Sequence, residues 1–172
     1  MKQLWTALTI AAVFFSVHRS TDAQDLSARA DRKITGQYYL PHSTSAYHRS
    51  AREHARALNY YGQNYKAVPK EITQQHVAEV KRNVDAAKKE LAKLKTEAAK
   101  DKKLQKPLAA MQAHLDKCEE YCQMLTDEAG KAGGSDNEAI CDCCQKLENE
   151  LEAAEAENDK IKAQLGVAPK KK

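Results

Sequence analysis

The run LQKPLAAMQAHLDKCEEYCQMLTDEA, Leu104 to Ala129, decides the fold. Its apolar positions are Leu104, Leu108, Met111, Leu115, Cys118, Cys122, Leu125 and Ala129. They step alternately by four and three. That spacing lays one stripe along an α-helix and packs it knob-into-hole against a partner. Two of the eight positions hold cysteine where leucine would serve packing as well.

Three further segments carry the same signature. One runs from about Ser43 to Tyr65, with a stripe of Tyr47, Ala51, His54, Leu58, Tyr61 and Tyr65. Ser43, Thr44 or Ser45 caps it, and Pro69 suits the start of the next helix. That helix spans about Lys70 to Lys100, on Val77, Val80, Val84, Ala87, Leu91, Leu94 and Ala98. The third, opened above, begins near Lys102, with Pro107 in its first turns. Gly133-Gly134 breaks the chain after it. The fourth runs from about Asp136 to Leu165, on Ile140, Cys144, Leu147, Leu151, Ala154, Asn158, Ile161 and Leu165. Short connections make neighbours antiparallel. The expected fold is an all-α, up-down-up-down four-helix bundle over residues 43–166 with coiled-coil-like packing. A two-helix hairpin that forms a homodimer is the competing architecture.

Composition agrees. The chain has 172 residues, six glycines and four prolines, with 42% hydrophobic and 30% charged residues. A large enzyme or a β-sandwich does not fit. Met1 to Ala23 reads as a signal peptide: a basic start at Lys2, an apolar run from Leu4 to Val17, and small residues at Thr21 and Ala23. Cleavage is expected after Ala23, with Ala28 or Ala30 as alternatives. Residues 24–42 read as a flexible N-terminal arm and 167–172 as a basic tail. Lys2, Arg19 and Asp22 leave with the signal, so 28 basic and 24 acidic residues become 26 and 23, a net charge of +3. That balance gives no reason to expect nucleic acid. The expected location is periplasmic or secreted, and in a diderm bacterium that compartment is oxidising.

Antiparallel neighbours share a level when their residue numbers sum to a constant. The turn near Gly133 gives about 266 for helices three and four, which pairs Cys122 with Cys144. The turn near Lys102 puts Cys122 level with Arg82 and Asn83. The turn near Ala67-Val68 puts Arg82 level with Glu53 and His54. His54, Cys122 and Cys144 are therefore expected in core seams at one level, to within about one helical turn. Cys118 lies one turn from Cys122, Cys141 one turn from Cys144, and His114 one turn from Cys118. His42, His48 and His76 read as polar or boundary positions. Thiolate and imidazole together suit a soft ion, Cu(I) first and Zn(II) second.

The segment Cys118-Glu-Glu-Tyr-Cys122-Gln-Met-Leu125, a polar turn, then Cys141-Asp-Cys143-Cys144 resembles the helical hairpin of four-helix-bundle copper storage and copper-binding proteins. The resemblance covers about Cys118 to Leu147. It implies Cu(I) held by Cys118, Cys122, Cys141 and Cys144. The first two helices carry no cysteine, which leaves a small site completed by His54, with His114 and Cys143 as further donors.

The rival reading is a structural or interaction bundle of the cell envelope, stapled by a Cys122–Cys144 disulfide and binding no metal. Such a bridge stabilises by about 2–4 kcal/mol. Cys141–Cys144 is a local alternative pair with redox character. Either way an odd cysteine count leaves one thiol over. Enzyme motifs are absent: no CxxCH, no ExxH, no HExxH, no glycine-rich phosphate loop and no GxSxG. The expected role is non-catalytic, with the metal ion, an envelope protein or a second copy of the chain as partner.

Overall fold

The computed structural model describes residues 36–131 and 136–167. The expected signal peptide, residues 24–35 of the expected arm, and residues 168–172 of the tail lie outside these. Four helices make up the described chain: α1 (Gly36–Asn64), α2 (Lys70–Glu97), α3 (Lys102–Gly130) and α4 (Asn137–Gln164). Each packs backbone to backbone against two neighbours, in the cyclic order α1, α2, α3, α4, and among the described residues the diagonal helices share only the core. This is the up-down-up-down bundle.

Local chemistry sets the helix ends. Asp101 caps α3 by accepting from the Lys103 amide at 2.9 Å, and Asp136 caps α4 by accepting from Glu138 at 2.9 Å. Each such cap contributes about 1 kcal/mol. The Glu128 carboxylate near the end of α3 also accepts from the Asp136 amide at 2.6 Å, which ties the two ends of that turn together. Pro69 precedes α2, where a missing amide hydrogen costs nothing.

The first helix begins earlier than expected, at Gly36 rather than Ser43, and contains Pro41. The hydroxyls read as caps have another use. Ser43 and Thr44 donate to the Leu40 carbonyl at 3.0 and 2.8 Å, a bond that a continuing helix accommodates.

The stripes of α2 and α3 are buried at every expected position, and that of α4 at every position but Leu165, which is half-buried. The α1 stripe is corrected. Its buried line is Leu40, Thr44, His48, Ala51, Ala55 and Leu58. Ala51 and Leu58 belong to both lines, but His48 and Ala55 replace Tyr47 and His54, and Tyr65 is exposed. The core has two parts. One half is leucine-rich, built on Leu91, Leu94, Leu104, Leu108 and Leu115. The other, toward the α1–α2 and α3–α4 turns, is built on alanine, valine and cysteine, with Leu58, Leu125, Ile140, Leu147 and Leu151.

A polar seam joins α1 to α4. Asn158, fully buried, donates to the Pro41 carbonyl at 2.8 Å and to Ser45 Oγ at 3.0 Å. Ser45 donates to Glu155 and accepts from Lys162, which uses every hydrogen-bonding position of its hydroxyl. His48 Nδ1 donates to Glu155 Oε2 at 2.9 Å, and Lys162 Nζ reaches Glu155 Oε1 at 3.1 Å. Burial alone would raise the Glu155 pKa, but the bonds from His48, Ser45 and Lys162 outweigh it and bring it down to about 2. A depressed carboxylate stabilises the fold above its unfolded pKa, and the benefit fades as pH falls toward its folded value. We expect urea melts to show acid-side loss setting in below about pH 4.5. Glu155→Gln should lower stability by about 2–3 kcal/mol at pH 7 and by much less at pH 2. Equal loss at both pH values would show that the charge contributes nothing.

Candidate functional site

The expected metal-binding cysteines fall in the alanine- and valine-rich half. Cys118 and Cys144 are wholly buried and Cys122 is 1% exposed. All three share one core cluster with Val77, Val80, Val84 and Leu125. Cys143 is also buried, at its margin. Cys141 is half-buried and faces α1, where its thiol donates to the Asn59 carbonyl at 3.6 Å. A Cβ at Gly62 would lie 2.6 Å from Cys141 Sγ, so glycine there lets α1 and α4 close on the sulfur. All five cysteines are free thiols.

The level arithmetic for α3 and α4 agrees with observed contacts. His114 and Lys117 both bond Glu150, at 2.6 and 3.0 Å, with residue numbers summing to 264 and 267. Cys122 and Cys144 sum to 266, inside that span. Burial pushes Cys122 up to about 12. It pushes Cys118 higher still, helped by Cys122, and Cys144 likewise, helped by Cys141, Cys143 and Cys122. These are neutral thiols at ordinary pH.

His54 does not join them. It sits half-buried on the α1–α2 side, with Nδ1 3.1 Å from His76 Nδ1. One of the two nitrogens donates and the other accepts. The rings lie 5.3 Å apart, and Tyr61 meets His76 edge-on at 5.6 Å. The expected neighbour of His54 was Arg82. The observed one lies six residues earlier, and the boundary reading of His76 missed this pairing. His114 is engaged by Glu150. Among the described residues no three His, Cys, Asp or Glu side chains gather as a ready-made metal site. The composite layer of His54, Cys122 and Cys144 is therefore replaced by two separate features, a thiol core and a histidine pair.

Sequence reasoning also missed His48. It reads as a boundary residue, yet it is 1% exposed. The four–three line Thr44, His48, Ala51, Ala55, Leu58 was the signal that could have placed it.

Two expectations follow. Burial and His54 hold His76 below the usual histidine pKa. A lowered histidine favours the fold while neutral, so this contribution is full above about pH 6.5 and is lost as pH falls below it. Thermal melts from pH 7.5 to 5 should show the decline, and His76→Gln should flatten it. An unchanged slope would remove His76 as its source. Timed alkylation of the native, reduced protein should modify Cys141 first, with Cys118, Cys122 and Cys144 reacting only on unfolding. Intact mass with peptide mapping reads the order, and early modification of Cys122 would contradict the burial.

No family model, curated protein or solved structure matches the chain, so its own core chemistry is what bears on function.

Proposed function

We propose that this chain is a non-catalytic, exported helical bundle that takes up Cu(I) between α3 and α4, for sequestration or delivery. One observation carries the reading: the free thiols of Cys118, Cys122 and Cys144 occupy seam positions of the same core cluster, and the α3–α4 register puts Cys122 and Cys144 at one level. Thiolate sulfur selects Cu(I) over hard cations. Cu(I) is satisfied by two donors, whereas structural zinc asks for four. The lack of any three-donor group among the described residues therefore weighs against Zn(II) and not against a two-thiolate Cu(I) site. Cys122 and Cys144 are the assigned pair. Cys118 is the reserve donor from α3, and Cys141 and Cys143 from α4. With no cysteine on α1 or α2, capacity is one or two ions rather than a large store.

Uptake at this site is proton-coupled. Cys122 and Cys144 are protonated when no metal is bound, so each Cu(I) held by both displaces two protons. Affinity should rise by up to about 100-fold per pH unit while pH stays below the thiol pKa values. Competition with a coloured Cu(I) chelator under reducing conditions, at several pH values, measures it. We expect tight binding in the wild type and loss of at least about tenfold in affinity in Cys122→Ser/Cys144→Ser. Equal binding by both proteins would sink the proposal. Protein extracted from cells with two disulfides, insensitive to copper supply, would replace it with the stapled bundle.

A further inference from the structure

The second chemistry of the molecule lies in its other half. Beside the polar seam of α1 and α4 is a cavity of about 620 Å³. That is the size of a small-molecule site, typically about 300–1,000 Å³. Of its lining, Lys162 is neutralised locally, 3.1 Å from Glu155 and 2.9 Å from Asp159. Arg49 and Arg52 line the same cavity, and neither forms an ion pair or hydrogen bond among the described residues. Three fixed cations against two carboxylates leave the lining one positive charge in excess, carried by unmatched arginines.

Two buried atoms lack partners here. His48 Nε2 and Arg52 Nε are each shielded from solvent and bond to nothing in the protein. An unmet buried polar group is costly, and nearly all such groups in proteins are satisfied. Arg52 Nε can only donate. His48 already donates from Nδ1 to Glu155, which fixes its ring, and its imidazolium form donates from Nε2 as well. Arg52 Nε therefore calls for an acceptor, whereas His48 Nε2 takes a donor in the neutral ring and an acceptor in the imidazolium. Arginine forks match the oxygens of carboxylate or phosphate. A cation is disfavoured by the arginines. Two arginine forks and an imidazole nitrogen suit a phosphate, which offers both acceptor oxygens and a P–OH donor, better than a carboxylate.

We propose that this cavity binds a small phosphate-bearing anion, with its terminal oxygens held by Arg49, Arg52 and His48. Glu155 positions His48 and does not touch the ligand.

Calorimetric titration of the reduced, metal-free protein with inorganic phosphate at pH 6.5 tests this, with succinate as carboxylate probe and sodium chloride at matched ionic strength. We expect one saturable phosphate site per chain, weaker binding of succinate, and none of chloride. Arg49→Gln and Arg52→Gln should each weaken phosphate binding by about tenfold or more. Arg49 is exposed, so its variant should keep the wild-type melt. Phosphate should also shift the His48 Nε2 resonance in nitrogen NMR. Heats that do not saturate, equal binding by well-folded Arg49→Gln, tighter binding of succinate, or an unmoved His48 resonance would each overturn the assignment. Cu(I) binding in the other half is expected to be indifferent to phosphate, so this test fails or succeeds separately from the copper reading.

Discussion

Each of the four helices has one stripe to hide from water, and burying the four against each other decides where every other side chain can go. Leu91, Leu94, Leu104, Leu108, Leu115, Leu147 and Leu151 are all fully buried. Each contributes about 1.5–3 kcal/mol relative to exposure. No single polar contact in the molecule matches their total. The stripes fix the azimuth of each helix, and the remaining chemistry is placed by that rotation.

The thiols follow from this constraint. Cysteine is a small hydrophobe in packing terms. In the half where Ala51, Ala55, Val80 and Val84 line the neighbouring helices, it fills a seam between close helices. The same burial that makes it a good core residue removes solvent from the sulfur and keeps the proton on. A buried thiol is slow to oxidise and slow to alkylate. A soft ion must displace its proton to enter. Protection and proton-coupled uptake are thus one physical fact seen from two sides.

The architecture was legible because α2, α3 and α4 carry unbroken apolar periodicity. The α1 helix was legible only in part. Ala51 and Leu58 anchor two lines, and the four–three spacing admits Tyr47 and His54 as one completion. The molecule takes His48 and Ala55 instead. His48 can be buried because Glu155, far away in sequence, bonds its Nδ1, and Ala55 leaves room for close approach. Periodicity cannot report a partner on another helix. Level arithmetic has its own blind spot: it assumes that the chain turns symmetrically between two helices. It matched α3 to α4 within the reach of one side chain. It put His54 beside Arg82, whereas the histidine faces His76.

The polar seam and the thiol half are linked by rigidity rather than contact. Ser45 with Asn158, His48 with Glu155, and Gly62 with Cys141 have residue numbers that each sum to 203, and Arg56 with Glu148 sums to 204. One antiparallel register therefore holds along the α1–α4 interface. Apolar stripes alone specify it loosely, because leucine and alanine accept a partner at several heights. Asn158 accepts only a register that brings the Pro41 carbonyl and Ser45 within its reach. A buried amide group whose two N–H bonds can be made at only one height selects one arrangement among several of similar packing energy. A slip of one turn would move α1 by about 5.4 Å. It would leave Asn158 and Glu155 unmet and carry Gly62 away from Cys141. The hydrogen bonds at one end of α1 thus decide which residue faces the sulfur near the other.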